Sequence, residues 1–173
     1  MFSLTNKNQM KKLLTILLLI LTISSYGQSE LEIKIFKYFN DYRIEHNLKP
    51  LKFDGKVLLA AEYHNNYLNN NGYPYNYILD NPHREKELVY ASDRLKKCGT
   101  VGFLSSAECI LYKFRTFKQN DTDLLKTAIE SWDNSPSHKR IMLLENIDIG
   151  AISILVLGDD YFLMTLNVVN THN

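Results

Sequence analysis

The sequence predicts an α+β fold in which a sheet lies between two layers of helices. Three observations carry this reading. Apolar residues recur with helical spacing from residue 30 to about residue 144, and the chain then closes on two consecutive strands joined by a tight loop. Those strands are apolar on both faces, with Ile149 and Leu155 on one and Ile152 and Val156 on the other. A strand apolar on both sides belongs to a sheet covered on both sides.

Taken in order, residues 1–27 read as a secretory signal peptide. Lys7, Lys11 and Lys12 form a positive start, residues 13–23 an apolar run, and Ser25 and Gly27 place small residues before a cut ahead of Gln28. A membrane span needs about 20 apolar residues, and this run is eleven residues long and broken by Thr15 and Thr22. No cysteine follows it to carry a lipid. The chain is thus expected to be secreted or periplasmic, with one domain over residues 28–173 and no later membrane span. Without the leader the chain holds 17 Lys and Arg against 19 Asp and Glu, a net charge of −2. A nearly neutral protein lacks the basic footprint of a nucleic-acid binder. With 45% hydrophobic and 23% charged residues, a disordered tail and a cysteine-dense mini-scaffold are excluded as well.

Leu31, Ile35, Phe36, Phe39 and Tyr42 step by three and four, which predicts a helix over 30–46. Asp54 is placed to cap a second helix running to about Asn70, with Val57, Leu58, Ala61 and Leu68 on one face. A long irregular stretch from 73 to 90 follows, interrupted by Pro74 and Pro82; loops of that length in compact domains are often functional. Ser92 is expected to cap a short helix to Lys97, and residues 99–104 to form a brief strand before the apolar segment 110–114. Asp121 opens a third long helix with the stripe Leu124, Leu125, Ala128, Ile129 and Trp132. Ser135-Pro136 starts a last helix, Ser as N-cap and Pro at the first helical position. Strands over 147–157 and 161–169, joined at Gly158-Asp159-Asp160, close the chain.

Two cysteines remain, Cys98 and Cys109. In an exported protein they form either a disulfide, worth about 3 kcal/mol by chain entropy, or two separate buried thiols. Of the five histidines, His46 and His172 fall at a helix end and a chain end, and His64 sits mid-helix as a packed, hydrogen-bonded core residue. His83 lies in the long loop, where scaffolds display functional groups. His138 stands in the first turn of the helix that Ser135 caps, whose positive end disfavours an imidazolium and leaves the ring neutral near pH 7. Glu108, the only acid between Asp93 and Asp121, has Ser105, Ser106, Ala107, Cys109 and Ile110 as neighbours. An acid there either pairs with a cation or metal or accepts backbone hydrogen bonds at a helix start. The spacing of His83, Glu108 and His138 matches no compact zinc motif.

These pieces resemble a known family. Phe39-Asn40-Asp41-Tyr42-Arg43 followed by Leu48-Lys49-Pro50-Leu51-Lys52-Phe53 is similar to the opening of a bacterial, SCP-like CAP domain, of the superfamily of cysteine-rich secretory, antigen 5 and pathogenesis-related proteins. Ala60-Ala61-Glu62-Tyr63-His64 resembles its second helix, and Ala107-Glu108-Cys109-Ile110 stands where the family has Gly-Glu-Asn-Ile. The segment from Trp132 to Arg140 resembles the Trp-x-x-Ser-Pro-x-His-Arg signature, and Asp148-Ile149-Gly150-Ala151 the first C-terminal strand.

The resemblance implies a three-layer α-β-α sandwich with a C-terminal antiparallel hairpin in its central sheet. It also implies a central cleft lined by two histidines and two acids, which in some members hold a divalent metal such as zinc. By position these are His83, His138 and Glu108. The chain departs from the family at Cys109 and at Ser135, where eukaryotic members carry the second acid. That fourth ligand is missing unless Glu85, Glu87 or Asp133 supplies it. The favoured function is an extracytoplasmic binding module. Its cleft, or the loop of Tyr73, Tyr75 and Tyr77, would take a small apolar ligand, a lipid, a glycan or a protein partner. The alternatives are a metal-dependent hydrolase, with Glu108 as base or ligand and His83 and His138 holding metal or water, and a thiol enzyme with Cys109 as nucleophile and His138 as base.

Overall fold

The computed structural model describes residues 28–74, 81–114, 120–158 and 161–171. The leader, Tyr75 and Tyr77, the loop residues Asp159 and Asp160, and His172 lie outside them.

The first helix, α1 (Glu30–Glu45), is started by a capping box. Ser29 Oγ accepts from the Glu32 backbone N–H at 3.2 Å, and Glu32 Oε2 accepts from the Ser29 N–H at 2.8 Å. The other Glu32 oxygen takes the Ile154 N–H at 3.1 Å and so ties the helix to the sheet. Near its end the buried Arg43 donates to the carbonyls of Lys49 and Met142, at 3.0 and 2.6 Å, joining two chain reversals. A two-residue strand, β1 (Lys52–Phe53), precedes α2 (Gly55–Asn70). Asp54 caps α2 as its position predicts, accepting from Lys56 and Val57.

The chain continues through α3 (Ala91–Lys97), β2 (Ser105–Phe114), α4 (Asp121–Asp133), α5 (Pro136–Met142), β3 (Ile149–Leu157) and β4 (Tyr161–Asn170). The sheet order is β1-β3-β4-β2, with β1 parallel to β3 and the other pairs antiparallel. Two helix caps differ by one or two residues from expectation. Asp93 binds the Tyr90 N–H at the head of α3, and Asn120 rather than Asp121 caps α4. The brief strand expected over 99–104 is a loop. Gly99 and Gly102 take φ of +88° and +72°, a left-handed backbone that breaks a strand. The strand starts at Ser105 instead, which puts Glu108 inside a strand and not at a helix start.

Helices cover both faces of the sheet. Cys109, Ile152, Met164, Leu166 and Val168 pack against Ile35, Phe39, Leu125 and Trp132 from α1 and α4. On the other side Ala151 and Val169 meet Val57, Leu58 and Leu95 from α2 and α3, and Ile110 and Leu163 meet Leu68. The result is the α-β-α sandwich, its period-two alternation sending each strand's neighbours to opposite layers.

Candidate functional site

Strand β2 is an edge strand, and its alternation sorts the chemistry. Cys109 points into the α1/α4 layer, while Glu108 points to the α2/α3 layer and is buried, at 7% exposure. There Glu108 meets three cationic or hydrogen-bonding groups brought by separate elements. Arg94, from α3 and wholly buried, donates from Nη2 to Glu108 Oε2 at 2.6 Å. His83, from the irregular loop, places Nδ1 3.1 Å from Oε1; the carboxylate can only accept, so Nδ1 carries the proton. His64, from α2, holds Nε2 3.6 Å from the same oxygen.

A second buried carboxylate closes the cluster. Glu85 Oε1 lies 2.7 Å from His64 Nδ1 and 3.6 Å from Arg94 Nε. His64 Nε2 also faces the Pro82 carbonyl at 2.9 Å. Each His64 ring nitrogen thus faces an oxygen, Nδ1 that of Glu85 and Nε2 that of Pro82. Two carboxyl groups stand against a guanidinium and two imidazoles, with Arg94 and His64 each reaching both acids. Burial by itself would raise the Glu108 pKa. The His83 hydrogen bond and the charges of His64 and Arg94 overcome it, holding this carboxyl below its ordinary range. The loop is shaped to deliver His83: Asn81 Oδ1 accepts from the His83 N–H at 2.9 Å, and its carbonyl accepts from the Arg84 N–H at 3.1 Å.

The predicted residues are therefore brought together only in part. His83 and Glu108 meet. His138 approaches the open side of β2 from the other layer, part-buried. Its pKa is lowered, first by burial and then by the nearby charge of His83. The direction matches the neutral ring expected from the sequence, although the chief cause is desolvation. Of the three acids considered as a fourth ligand, Glu85 joins the cluster. Asp133 is instead engaged with Tyr42 and with Lys139, the latter at 2.8 Å, and Glu87 is exposed. Sequence reasoning missed Arg94 altogether and placed His64 in the core without its role here.

The two cysteines are free thiols, which corrects the disulfide option. Cys98 packs with the α2/α3 layer and Cys109 lies in the opposite one, so the sheet stands between them. The thiol-enzyme reading fails for related reasons. Burial drives the Cys109 pKa far up, and its Sγ donates to the His138 backbone carbonyl at 3.8 Å, not to the ring.

A cleft of about 780 Å³ opens along the free side of β2. Arg84, Tyr90, Lys96, Phe103 and Leu104 line it together with His83, and Glu108 is the only acid among the described lining residues. The Arg84 guanidinium sits 5.8 Å over the Tyr90 ring. Helix α5 contributes Ile141 to this lining, not His138.

The donor set does not fit a divalent metal. Glu108 gives one oxygen to Arg94 and the other to His83, and a buried guanidinium already occupies the place of a cation. Among the described residues no three His, Cys, Asp or Glu side chains gather as a metal ligand set.

Known structures share this architecture. An extracellular protein with an SCP domain from Bacillus anthracis str. Ames aligns at 25% identity and a TM-score of 0.60, over 81% of this chain and 40% of that one. An outer surface protein from Borrelia burgdorferi aligns at 17% identity and a TM-score of 0.65, over 83% of this chain and 96% of that one. A cysteine-rich secretory protein from Staphylococcus aureus subsp. aureus Mu50 aligns at 21% identity and a TM-score of 0.53, over 81% and 38%. This chain thus spans about two-fifths of the Bacillus and Staphylococcus proteins. No curated protein matches it. The sequence model of the cysteine-rich secretory protein family matches residues 36–169, taking in α1 from its second turn, Glu108, the signature around His138 and nearly all of the closing hairpin. On that match and this fold, the chain belongs to the CAP family of cysteine-rich secretory proteins.

Proposed function

We propose that this CAP domain is an extracytoplasmic recognition module whose cleft binds a small ligand with an apolar body and an acidic group. The observation that carries the reading is the internal neutralisation of Glu108. Arg94, His64 and His83 consume its charge, so the cleft presents Arg84 and Lys96 beside Tyr90 and Phe103. Cations next to aromatic faces favour an anion with an apolar flank. The leader-like residues 1–27 and the extracellular or surface description of the relatives support a location outside the cytoplasm. A metal hydrolase is disfavoured by chemistry: a zinc enzyme wants three good ligands and an open position, and the Glu108 oxygens are already engaged.

Native mass spectrometry of the exported protein tests this. The expected result is a folded protein that captures acidic amphiphiles, with capture weakened in Lys96→Glu and Tyr90→Ala. Stoichiometric zinc, lost in His83→Ala and Glu108→Gln and coupled to ester or peptide hydrolysis, would replace this reading with the hydrolase.

A further inference from the structure

We infer that the rim of this cleft docks on a lipid bilayer bearing anionic headgroups, so that the cleft opens against a membrane surface. The inference rests on the extracytoplasmic binding reading and adds the partner. The loop between α3 and β2 carries apolar residues where a soluble surface would be polar: Val101 is 76% exposed and Leu104 58%. Tyr90, 57% exposed, stands on the same cleft. Gly102 turns the loop at positive φ, and a Cβ built on it would meet nothing within 4 Å, so the tip projects into open solvent. A projecting apolar tip beside basic side chains suits insertion into an anionic interface.

The charge on the cleft beneath the tip is mainly basic, since the nearby Asp93 accepts the Tyr90 backbone N–H and Glu108 is paired. Arg84 and Lys96 line the cleft beneath it, and the only acid in the described lining, Glu108, is buried and paired with Arg94. The chain after the leader is net −2, so these cations are set against an otherwise slightly acidic molecule and would orient it. Basic side chains beside an anionic leaflet, with apolar groups reaching into the headgroup layer, give reversible surface binding. No helix among the described residues is long and apolar enough to cross a membrane, and docking of this kind needs none.

The test is co-sedimentation of the exported protein with vesicles of phosphatidylcholine alone and of phosphatidylcholine with phosphatidylglycerol. The expected result is binding to the anionic vesicles, weakened by salt and weaker on the neutral ones. Val101→Asp should abolish it, and Lys96→Gln should weaken it about fivefold, the equivalent of ~1 kcal/mol for one basic residue at an anionic surface. Val101→Ser serves as a second, milder variant, and circular dichroism confirms that each variant is folded. Sedimentation with neither vesicle overturns the proposal, as does binding that ignores the two Val101 substitutions or Lys96→Gln. Ligand capture in the absence of vesicles is read separately. A protein that captures ligand but ignores membranes sinks only the docking, and one that docks without capturing ligand sinks only the cleft reading.

Discussion

Arg94 Nη2 and Glu108 Oε2 stand 2.6 Å apart, and neither side chain has appreciable contact with solvent. A pair in that position is worth little as a pair but much as a constraint. Removing one partner strands the other in a low dielectric, at about 3–5 kcal/mol. Arg94→Met is therefore expected to destabilise the domain by that order, and adding Glu108→Gln should recover part of the loss. Urea unfolding of the two single variants and the double variant measures the coupling. Additive losses would show that the pair does not act as a unit.

The same carboxyl sets an acid limb. Glu108 is held below its ordinary value near 4.5, so folding stabilises the ionised form. That contribution is fully present above the unfolded value and is lost as pH falls through the lower folded one. Acid unfolding of Glu108→Gln should accordingly show a shallower fall in stability below about pH 4.5 than the parent. Parallel curves would remove Glu108 from the account of acid stability.

His138 titrates with the opposite consequence for protonation. Its folded pKa lies below the ordinary 6.5, so the unfolded chain binds a proton more readily. The resulting penalty is absent above the ordinary value and grows as pH falls from there toward the folded one. An NMR titration of the His138 ring should have its midpoint below 6.5 and should move upward in His83→Gln, which removes the neighbouring charge. A midpoint that ignores His83 would contradict the placement of the two rings.

Alkylation in the native state should distinguish the thiols. Cys109 is fully buried with a thiol pushed to high pKa, and Cys98 is part-buried at the end of α3. Iodoacetamide is expected to label Cys98 slowly and Cys109 only on unfolding, with no bridged peptide joining them. A Cys98–Cys109 peptide in the unreduced digest would overturn the assignment to opposite layers.

Gly150 offers a packing test. A Cβ added there would lie 3.0 Å from Leu51 Cδ1 and 3.1 Å from the Asn167 carbonyl oxygen, and the carbonyl is fixed in β4. Gly150→Ala should cost about 1–3 kcal/mol by overpacking, read as a lowered midpoint of thermal unfolding. An unchanged midpoint would mean that both Leu51 and the β4 backbone at Asn167 give way without cost.

What was legible in the sequence followed from periodicity and end chemistry. The Asp54 cap, the α4 stripe ending at Trp132 and the two-faced strands all express local rules, and their elements stand where those rules put them. The start of β2 was not legible, because Gly99 and Gly102 act through backbone angles that pattern does not reveal. His83 and Glu108 were reached by exclusion and resemblance, but Arg94 gave no such signal. A basic residue beside Leu95 on a short helix looks solvated until the fold brings a carboxylate from 14 residues later. His64 was visible as a buried residue; its partner Glu85 lies 21 residues on, across a loop without periodicity.

The alternation along β2 also guards the molecule against misalignment. Glu108 is opposite Asn167 and Cys109 opposite Leu166. Sliding that strand by one residue would drive an ionised carboxyl into hydrocarbon beside Trp132 and leave the guanidinium of Arg94 facing a thiol. Shortening the preceding turn by a single residue should then be far more damaging than its exposed position implies, because it turns every side chain of the strand to the opposite layer.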